Sequence, residues 1–263
     1  MSKSNPLDRA FQLLDIVACA DSDMSLVELV QATGLPQSTT FRLASHLVES
    51  RMLSVDRQRR VYGLGSRARR LSLLLRGHAD IAALVQPALE TLAATARETA
   101  FFVVHMSGGA RLVSFELPDI RARAFIHPGF DFPDHATASG KAIRAFLADL
   151  PNDRNAPLEQ FQPATCVDPE ALVAVYAEVR ERGYAVNDSE LDPGIYSVAA
   201  PVMVGQDVFG ALGVVGPRDR MLDEARAAPP EACIVALREQ ARVLSGLLSR
   251  RRPLRGEDGL GAA

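Results

Sequence analysis

Two groups of residues in the first quarter of the chain have the side chains that proteins use to contact polyanions. Arginines dominate positions 51–70, where Asp56 is the only acidic residue. The second group, at positions 37–46, carries amide, hydroxyl and guanidinium groups at helical spacing. Because such groups donate hydrogen bonds to phosphates and base edges, we expect this part of the chain to contact nucleic acid. A solvated surface without a partner is the alternative explanation for the arginines. The arginines are Arg51, Arg57, Arg59, Arg60, Arg67, Arg69 and Arg70.

The composition describes a globular chain of two domains. Its 263 residues exceed the usual size of one domain, and 48% of them are hydrophobic. The net charge of −3 is compatible with nucleic-acid binding, because an average over two domains hides a local basic segment. No apolar run reaches the roughly 18 residues of a membrane span, so we expect a cytoplasmic protein without membrane contact. Cys19, Cys166 and Cys233 lie far apart, so we expect no disulfide, metal site or cofactor.

Residues 7–36, which precede the polar segment, predict two helices and a short turn. Apolar residues recur at helical spacing from Leu7 to Ala18. Ser25 and Glu28 then form a capping-box pattern that opens a second helix, which is predicted to end near Thr33. Gly34 suits the left-handed position after a helix, and Pro36 suits the first turn of the next one. This pattern indicates a helix-turn-helix.

The third predicted helix has one packing face and one polar face. Thr40, Leu43, Ala44 and Leu47 share a face at i, i+3, i+4, i+7 spacing. Short strand-like runs at 52–55 and 61–64 follow, and the basic turn between them predicts a wing. The polar face is typical of a recognition helix, whose N-terminal residues reach base edges. That face presents Gln37, Ser38, Thr39, Arg42, Ser45 and His46.

The order and spacing of these residues resemble the IclR-type regulators, over positions 5 to about 250. The resemblance implies a DNA-facing surface made of Gln37, Ser38, Thr39 and Arg42, with Arg57, Arg59 and Arg60 in the wing. It also implies a homodimer or tetramer that binds double-stranded DNA at a palindromic operator. The matching stretches are Arg9-Ala10, Leu13-Leu14-Asp15, Leu26–Leu29, Gly34–Thr39, Arg42-Leu43, Tyr62–Gly65, His135–Ala142, Arg182–Ala185, Glu190, Gly194, Ala199–Val202 and Gly213–Pro217.

Helical spacing continues beyond the predicted wing. Leu71, Leu74, His78, Ile81 and Val85 are separated by steps of three and four residues. Their stripe fits either a short coiled coil or a helix packed on its own domain. A proline at 87 is expected to end or kink this helix, with a second helix running to about residue 96. We therefore expect a winged helix-turn-helix domain over 1–66, a linker helix over 67–86, an effector-binding domain over 87–250 and a disordered tail over 251–263.

The pattern changes to short β-rich stretches beyond Glu98. Helices arranged around a mostly antiparallel sheet predict an α+β fold, and the resemblance implies that the larger domain is GAF-like. The sequence predicts strands over 100–106, 111–117, 123–127, 184–189, 195–204 and 208–215, and helices over 138–150, 168–182 and 231–249.

The resemblance also implies where a small molecule would bind. The lining residues that it suggests are Ala124, Phe132, Ala138, Ser139, Asn187, Ile195, Ser197, Gly213 and Val215. The backbone N–H groups at 138–140 begin a predicted helix, which suits a carboxylate. Gly213 and Val215 leave the floor apolar, so we expect a small organic acid of the larger, aromatic or long-chain kind. Arg121, Arg123 and His127 are weaker candidates, because most side chains of an edge strand point to solvent.

Sequence motifs of enzymes are missing. Gly140-Lys141 lacks the glycine and the hydroxyl that a phosphate loop requires around it, and the five histidines have no metal-ligand spacing. We therefore expect a DNA-binding regulator that is not an enzyme. An enzyme and an architectural DNA-binding protein without an effector are the alternatives.

Overall fold

The computed structural model describes residues 5–75, 77–106, 109–121, 123–124, 126, 131–147, 157–222 and 229–249. These residues divide into a smaller compact unit, made of the described residues up to Ser72 together with Ser249, and a larger one over Leu73–Leu248. His127 and the predicted tail over 251–263 lie outside the described residues. Within the described ranges, no helix has both the length and the hydropathy needed to cross a membrane.

The smaller unit contains three helices and a three-stranded sheet up to residue 64 in its described residues. The expected end signals are present, since Ser25 and Glu28 form the capping box and Gly34 has a φ of 65°. A strand that the pattern did not predict, Met24–Ser25, pairs with the last strand of the wing. The elements are α1 (Pro6–Cys19), β1 (Met24–Ser25), α2 (Leu26–Thr33), α3 (Gln37–Glu49), β2 (Leu53–Asp56) and β3 (Val61–Leu64).

A small apolar core holds these elements together. The predicted packing face of α3 is buried at Thr40, Leu43 and Ala44, which confirms the helical pattern. Leu13 and Val17 of α1 are fully buried in the same core. Burying an aliphatic side chain stabilises a fold by about 1.5–3 kcal/mol, so α3 is fixed by its apolar face and its polar face is free to serve another role. The cluster comprises Leu13, Val17, Leu29, Leu43, Ala44, Leu53 and Tyr62.

The helices after the wing differ from the prediction of a linker over 67–86. Two helices are present, α4 (Ser66–Leu75) and α5 (His78–Ala96), and α5 continues through Pro87. The helical conformation is interrupted near Gly77 instead, where φ is 87°. Proline costs a helix interior about 3 kcal/mol. Burial of Val85, Leu89 and Leu92 against the sheet outweighs that cost. Ile81 and Val85 of the predicted stripe are buried in this cluster, which favours packing of α5 on the chain's own domain over a coiled coil. The stripe is not buried in α4, where Leu71 is 44% exposed.

The larger unit contains a six-stranded antiparallel sheet in its described residues, which confirms the α+β class. Its strand order is β6-β5-β4-β9-β8-β7, with antiparallel pairing at every neighbour. The remaining elements are β4 (Thr99–Met106), β5 (Gly109–Glu116), β6 (Asp131–Phe132), α6 (Ala138–Arg144), α7 (Pro169–Arg182), β7 (Ala185–Asp188), β8 (Ile195–Val204), β9 (Asp207–Pro217), α8 (Arg218–Met221) and α9 (Glu231–Ser249).

Helices cover both faces of this sheet. Side chains alternate along β4, so Phe102 and Val104 pack on one face with residues of α5 and α9. Phe101 and Val103 pack on the other face with residues of α6 and α7. The result is a three-layer α/β/α arrangement in which one face carries α6 close to the sheet.

Two predicted elements of the larger unit are shorter or displaced. Arg123, Ala124 and Ile126 are not in a strand, and the edge strand is Asp131–Phe132. The carbonyl of Ala124 accepts a hydrogen bond from the Thr99 hydroxyl (2.6 Å) rather than from a sheet ladder. The helix predicted over 138–150 ends at Arg144, and positions 148–150 lie outside the described residues. The Arg180 guanidinium donates to the carbonyl of residue 145 (2.9 Å) just after the helix end.

Candidate functional site

The smaller unit displays the predicted polar face of α3 on its surface. Gln37, Ser38 and Arg42 are exposed and Thr39 is half-buried. The sequence predicted Pro36 in the first turn of this helix, but Pro36 is the N-cap residue, directly before the first turn. Its carbonyl oxygen accepts hydrogen bonds from the N–H groups of Thr39 and Thr40. The first turn of α3 has no acidic residue, so its exposed N-terminal part can approach an anion without charge repulsion.

The turn between β2 and β3 presents three exposed guanidinium groups, those of Arg57, Arg59 and Arg60. Asp56 forms the turn, since its Oδ1 accepts hydrogen bonds from the N–H groups of Gln58 (2.9 Å) and Arg59 (3.0 Å). Arg60 closes the turn with a φ of 55°. The acidic residue of this segment is therefore used in backbone capping, and the wing tip presents cationic side chains outward.

The larger unit contains a cavity of about 360 Å³ between α6 and the sheet. Eight of the nine predicted pocket residues line it. Five lining residues were missed, because they belong to the β4 strand and to loops whose approach depends on the folded sheet. The predicted lining residues are Ala124, Phe132, Ala138, Ser139, Asn187, Ile195, Ser197 and Val215, and the others are Phe101, Ile126, Thr137, Leu191 and Asp192.

Gly213 is the predicted residue that does not line the cavity. It pairs across the sheet with Phe101, whose ring lies over it. A Cβ on Gly213 would come within 2.4 Å of Cζ of Phe101 and 2.8 Å of the carbonyl oxygen of Val198. The glycine thus leaves space for the Phe101 ring, and that ring lines the cavity in its place. Phe101 and Phe132 stack with centroids 6.4 Å apart, which makes one wall aromatic.

Polar groups at one side of the cavity come from Ser139, Asn187 and Ser197. The Ser139 side chain is buried, and its Oγ has no hydrogen-bond partner among the described residues. Asn187 and Ser197 face each other across β7 and β8. The Asn187 amide oxygen accepts the N–H of Glu190 (2.9 Å), which fixes the direction of the amide group. These groups supply directional hydrogen bonding in a cavity whose other described lining residues are apolar except Thr137 and Asp192.

The N–H groups at the start of α6 are less available than the sequence suggested. The Thr137 hydroxyl already accepts a hydrogen bond from the N–H of Gly140 (3.0 Å). Of the weaker candidates, Arg121 and Arg123 do not line the cavity. Arg123 donates to the carbonyl of Pro118 (3.3 Å), and Arg121 is exposed. Among the described lining residues the ionisable side chain is that of Asp192, and none of these residues is cationic.

Two ion pairs involve residues of α6, one of them buried and one half-buried. Lys141 pairs with Glu190, with Nζ and Oε1 2.5 Å apart, and burial lowers the pKa of the lysine while Glu190 opposes that shift. Asp134 pairs with Arg144 (3.0 Å), and burial raises the pKa of the aspartate more than the guanidinium lowers it. The two pairs connect α6 to the segments that carry Glu190 and Asp134, although Oδ1 of Asp134 is buried without a hydrogen-bond partner among the described residues.

Two family models match the chain. The model described as the IclR helix-turn-helix domain matches residues 6–57, and the model described as bacterial transcriptional regulator IclR C-terminal matches residues 75–245. The second match alone covers more than half of the chain. The HTH-type transcriptional regulator BhcR of Paracoccus denitrificans is 31% identical over 238 residues, which are 89% of this chain and 85% of BhcR.

Solved structures have the same fold. The IclR transcriptional regulator from Alicyclobacillus acidocaldarius is 26% identical with a TM-score of 0.59, and the alignment covers 93% of this chain and 98% of that one. An IclR homologue from Microbacterium hydrocarbonoxydans, solved in complex with 4-hydroxybenzoate, is 21% identical with a TM-score of 0.58. The alignment covers 93% of this chain and 99% of that one. Together with the two matching models and the exposed α3 surface, these similarities show that the chain belongs to the IclR family of bacterial transcriptional regulators.

Proposed function

We propose that this regulator reads an operator with α3 and the β2–β3 wing, and that a small organic acid in the cavity of the larger unit modulates the binding. The supporting observation is that the smaller unit exposes the polar face of α3 and one cationic turn, while Leu43 and Ala44 on the opposite face of α3 are buried in the core. The protein acts in the cytoplasm, as a homodimer or tetramer that binds a palindromic operator. The contacting residues are Gln37, Ser38, Thr39 and Arg42 in α3 and Arg57, Arg59 and Arg60 in the wing.

The two surfaces have different roles in this proposal. The α3 side chains enter the major groove, where each base pair presents a distinct set of donors and acceptors. Gln37 suits adenine and Arg42 suits guanine or a phosphate. The wing arginines neutralise phosphates, which strengthens binding to any sequence and makes it depend on salt. A dimer would place two α3 helices about one helical turn of DNA apart, so a footprint should contain two half-sites.

Replacing Arg59 with alanine should weaken binding equally on all DNA sequences. Each phosphate contact contributes about −0.9 to the slope of log K against log salt, so we expect the slope to flatten by about one unit. The measurement is fluorescence anisotropy of a promoter fragment at several salt concentrations. Gln37→Ala is the matched comparison, because it should change base preference and leave the salt slope as it was. An unchanged affinity and slope in Arg59→Ala would remove the wing from the proposed interface.

The proposed effector is an aromatic acid. The cavity volume lies within the usual range for small-molecule sites, and Phe101 and Phe132 give it a wall that fits a planar ring. The Microbacterium homologue was solved with 4-hydroxybenzoate, which has this size and chemistry. With no cationic group among the described lining residues, the carboxylate would be held by hydrogen bonds from groups such as the Ser139 hydroxyl.

Replacing Ser139 with alanine should separate ligand binding from folding. Its Oγ has no hydrogen-bond partner among the described residues, so its loss leaves no protein group unsatisfied and the unfolding midpoint should stay within about 1–2 °C. The affinity for the acid should fall about 10- to 150-fold, because one hydrogen bond to a charged group contributes roughly 1.5–3 kcal/mol. Thermal shift with 4-hydroxybenzoate, and with acetate as a smaller acid, measures both effects. If the ligand stabilises wild type and variant equally, the Ser139 hydroxyl does not bind the carboxylate.

We propose no catalytic activity. A serine nucleophile requires a base within hydrogen-bond reach. The Ser139 hydroxyl has no hydrogen-bond partner among the described residues, and the described cavity lining contains no histidine, lysine or cysteine. The effector-free alternative, an architectural DNA-binding protein, is disfavoured by a formed cavity with a buried hydroxyl that lacks a partner. Ligand-dependent footprinting distinguishes it from the proposed regulator.

A further inference from the structure

Phe41 is an exposed aromatic side chain on the helix that we propose to read DNA. It is 53% exposed, although phenylalanine is among the residues most often buried. The other large apolar residues of α3, which is described in full, are buried or half-buried in the domain core. The core of the smaller unit therefore does not account for an aromatic side chain at this position.

The position of Phe41 on α3 places it beside the proposed base-reading residues. Residues three and four apart are neighbours on a helix surface, so Phe41 is adjacent to Gln37 and Ser38 on the side away from Leu43. Their Cβ atoms are about 5–6 Å apart at this spacing. Successive bases of one strand are about 3.4 Å apart, so the phenylalanine reaches a base one or two steps from the base that Gln37 reaches.

One chemical feature of the major groove matches this side chain. Thymine carries a C5 methyl group there, and an apolar contact to that methyl is a recognised way to select a T·A pair. We propose that Phe41 selects a thymine by packing against its C5 methyl group. The inference rests on the proposed DNA-binding role of α3. The apolar contact of Phe41 would complement the hydrogen bonds from Gln37 and Arg42, because a hydrogen bond cannot detect a methyl group.

Deoxyuridine substitution tests the contact directly, because it removes the thymine methyl and leaves the base pairing intact. A footprinted fragment of the promoter beside the protein's own gene is prepared with each thymine replaced in turn. For wild type, one position per half-site should lose about 3- to 5-fold in affinity, the effect of one buried methyl group. Phe41→Ala should bind the original fragment more weakly by a similar factor and should no longer distinguish thymine from deoxyuridine at that position.

Two further variants control for folding and for the loss of any exposed apolar side chain. Phe41→Leu keeps an apolar side chain and should retain part of the discrimination. Val27→Ala removes an exposed apolar group on α2, where 62% of the residue is accessible, and should keep the full thymine preference. Unfolding midpoints of the variants should match wild type, because none of these side chains is in the core.

The outcomes separate the inference from the proposed function. If Phe41→Ala keeps the same deoxyuridine penalty as wild type, the methyl contact is wrong even though the protein binds its operator. If the variant instead changes the oligomeric state in light scattering while discrimination persists, Phe41 belongs to a protein interface and the inference is also wrong. A wild type with no preference for any duplex would overturn the proposed DNA-reading surface itself.

Discussion

Replacing Lys141 with methionine should lower the free energy of unfolding by about 3–5 kcal/mol, the usual cost of breaking a buried ion pair from one side. Lys141 and Glu190 have side chains that are 5% and 13% exposed. Methionine fills similar space but leaves the Glu190 carboxylate without its cation in a poorly solvated site. Urea denaturation followed by circular dichroism measures the loss.

The double variant Lys141→Met/Glu190→Leu should recover most of this stability, because apolar residues can replace a buried ion pair at little cost. Arg242→Met is the exposed counterpart. Its partner Glu239 lies 2.7 Å away in a pair that is 74% and 51% exposed, so we expect no measurable change. An unfolding curve for Lys141→Met that superimposes on wild type would contradict the predicted role of the pair.

Replacing Gly213 with alanine should produce a regulator that no longer responds to its effector. The added Cβ would meet the Phe101 ring at 2.4 Å and the Val198 carbonyl oxygen at 2.8 Å, so the ring must move toward the cavity. Overpacking of this kind costs about 1–3 kcal/mol. We expect at least 10-fold weaker binding of the aromatic acid that stabilises wild type, with operator binding in the absence of acid preserved. Calorimetry and anisotropy measure the two activities.

The compensating variant Gly213→Ala/Phe101→Leu should restore part of the acid binding, because the shorter side chain leaves space for the new methyl group. Gly246→Ala is the control. No atom lies within 4 Å of the Cβ that it would add, and alanine in the helix α9 should stabilise the protein by about 1 kcal/mol. If Gly213→Ala binds the acid as wild type does, the ring does not determine the shape of the cavity.

Local chemistry explains why the smaller unit could be predicted closely. The capping box of Ser25 and Glu28, the left-handed Gly34 and the apolar face of α3 depend on residues within a few positions of each other. The two caps act through neighbouring residues before any tertiary contact forms. The apolar face of α3 is recognisable from its spacing alone, although it stabilises the helix only by packing in the core. The first strand, Met24–Ser25, was missed because two residues have no periodicity, and their pairing with β3 exists only in the folded domain.

The errors in the larger unit have a common origin in long-range packing. Pro87 has a strong local tendency to end a helix, yet its neighbours Val85 and Leu89 are held against the sheet. Gly213 was expected in the cavity, but its cross-strand partner Phe101 occupies that place. The pairing of Lys141 with Glu190 joins residues far apart in the chain, and the sequence contained no local sign of it.

The amino-acid sequence by itself determined the family, the α+β class, the polar face of α3 and most of the residues around the cavity. Those properties follow from side-chain type, short-range spacing and an ordered family pattern. Only the tertiary structure decided that Phe101 forms the aromatic wall, that Ser139 has no partner among the described residues, and that Phe41 is exposed beside Gln37. The physical reason is that burial and cavity shape depend on which distant strands and helices meet, and no local pattern specifies that meeting.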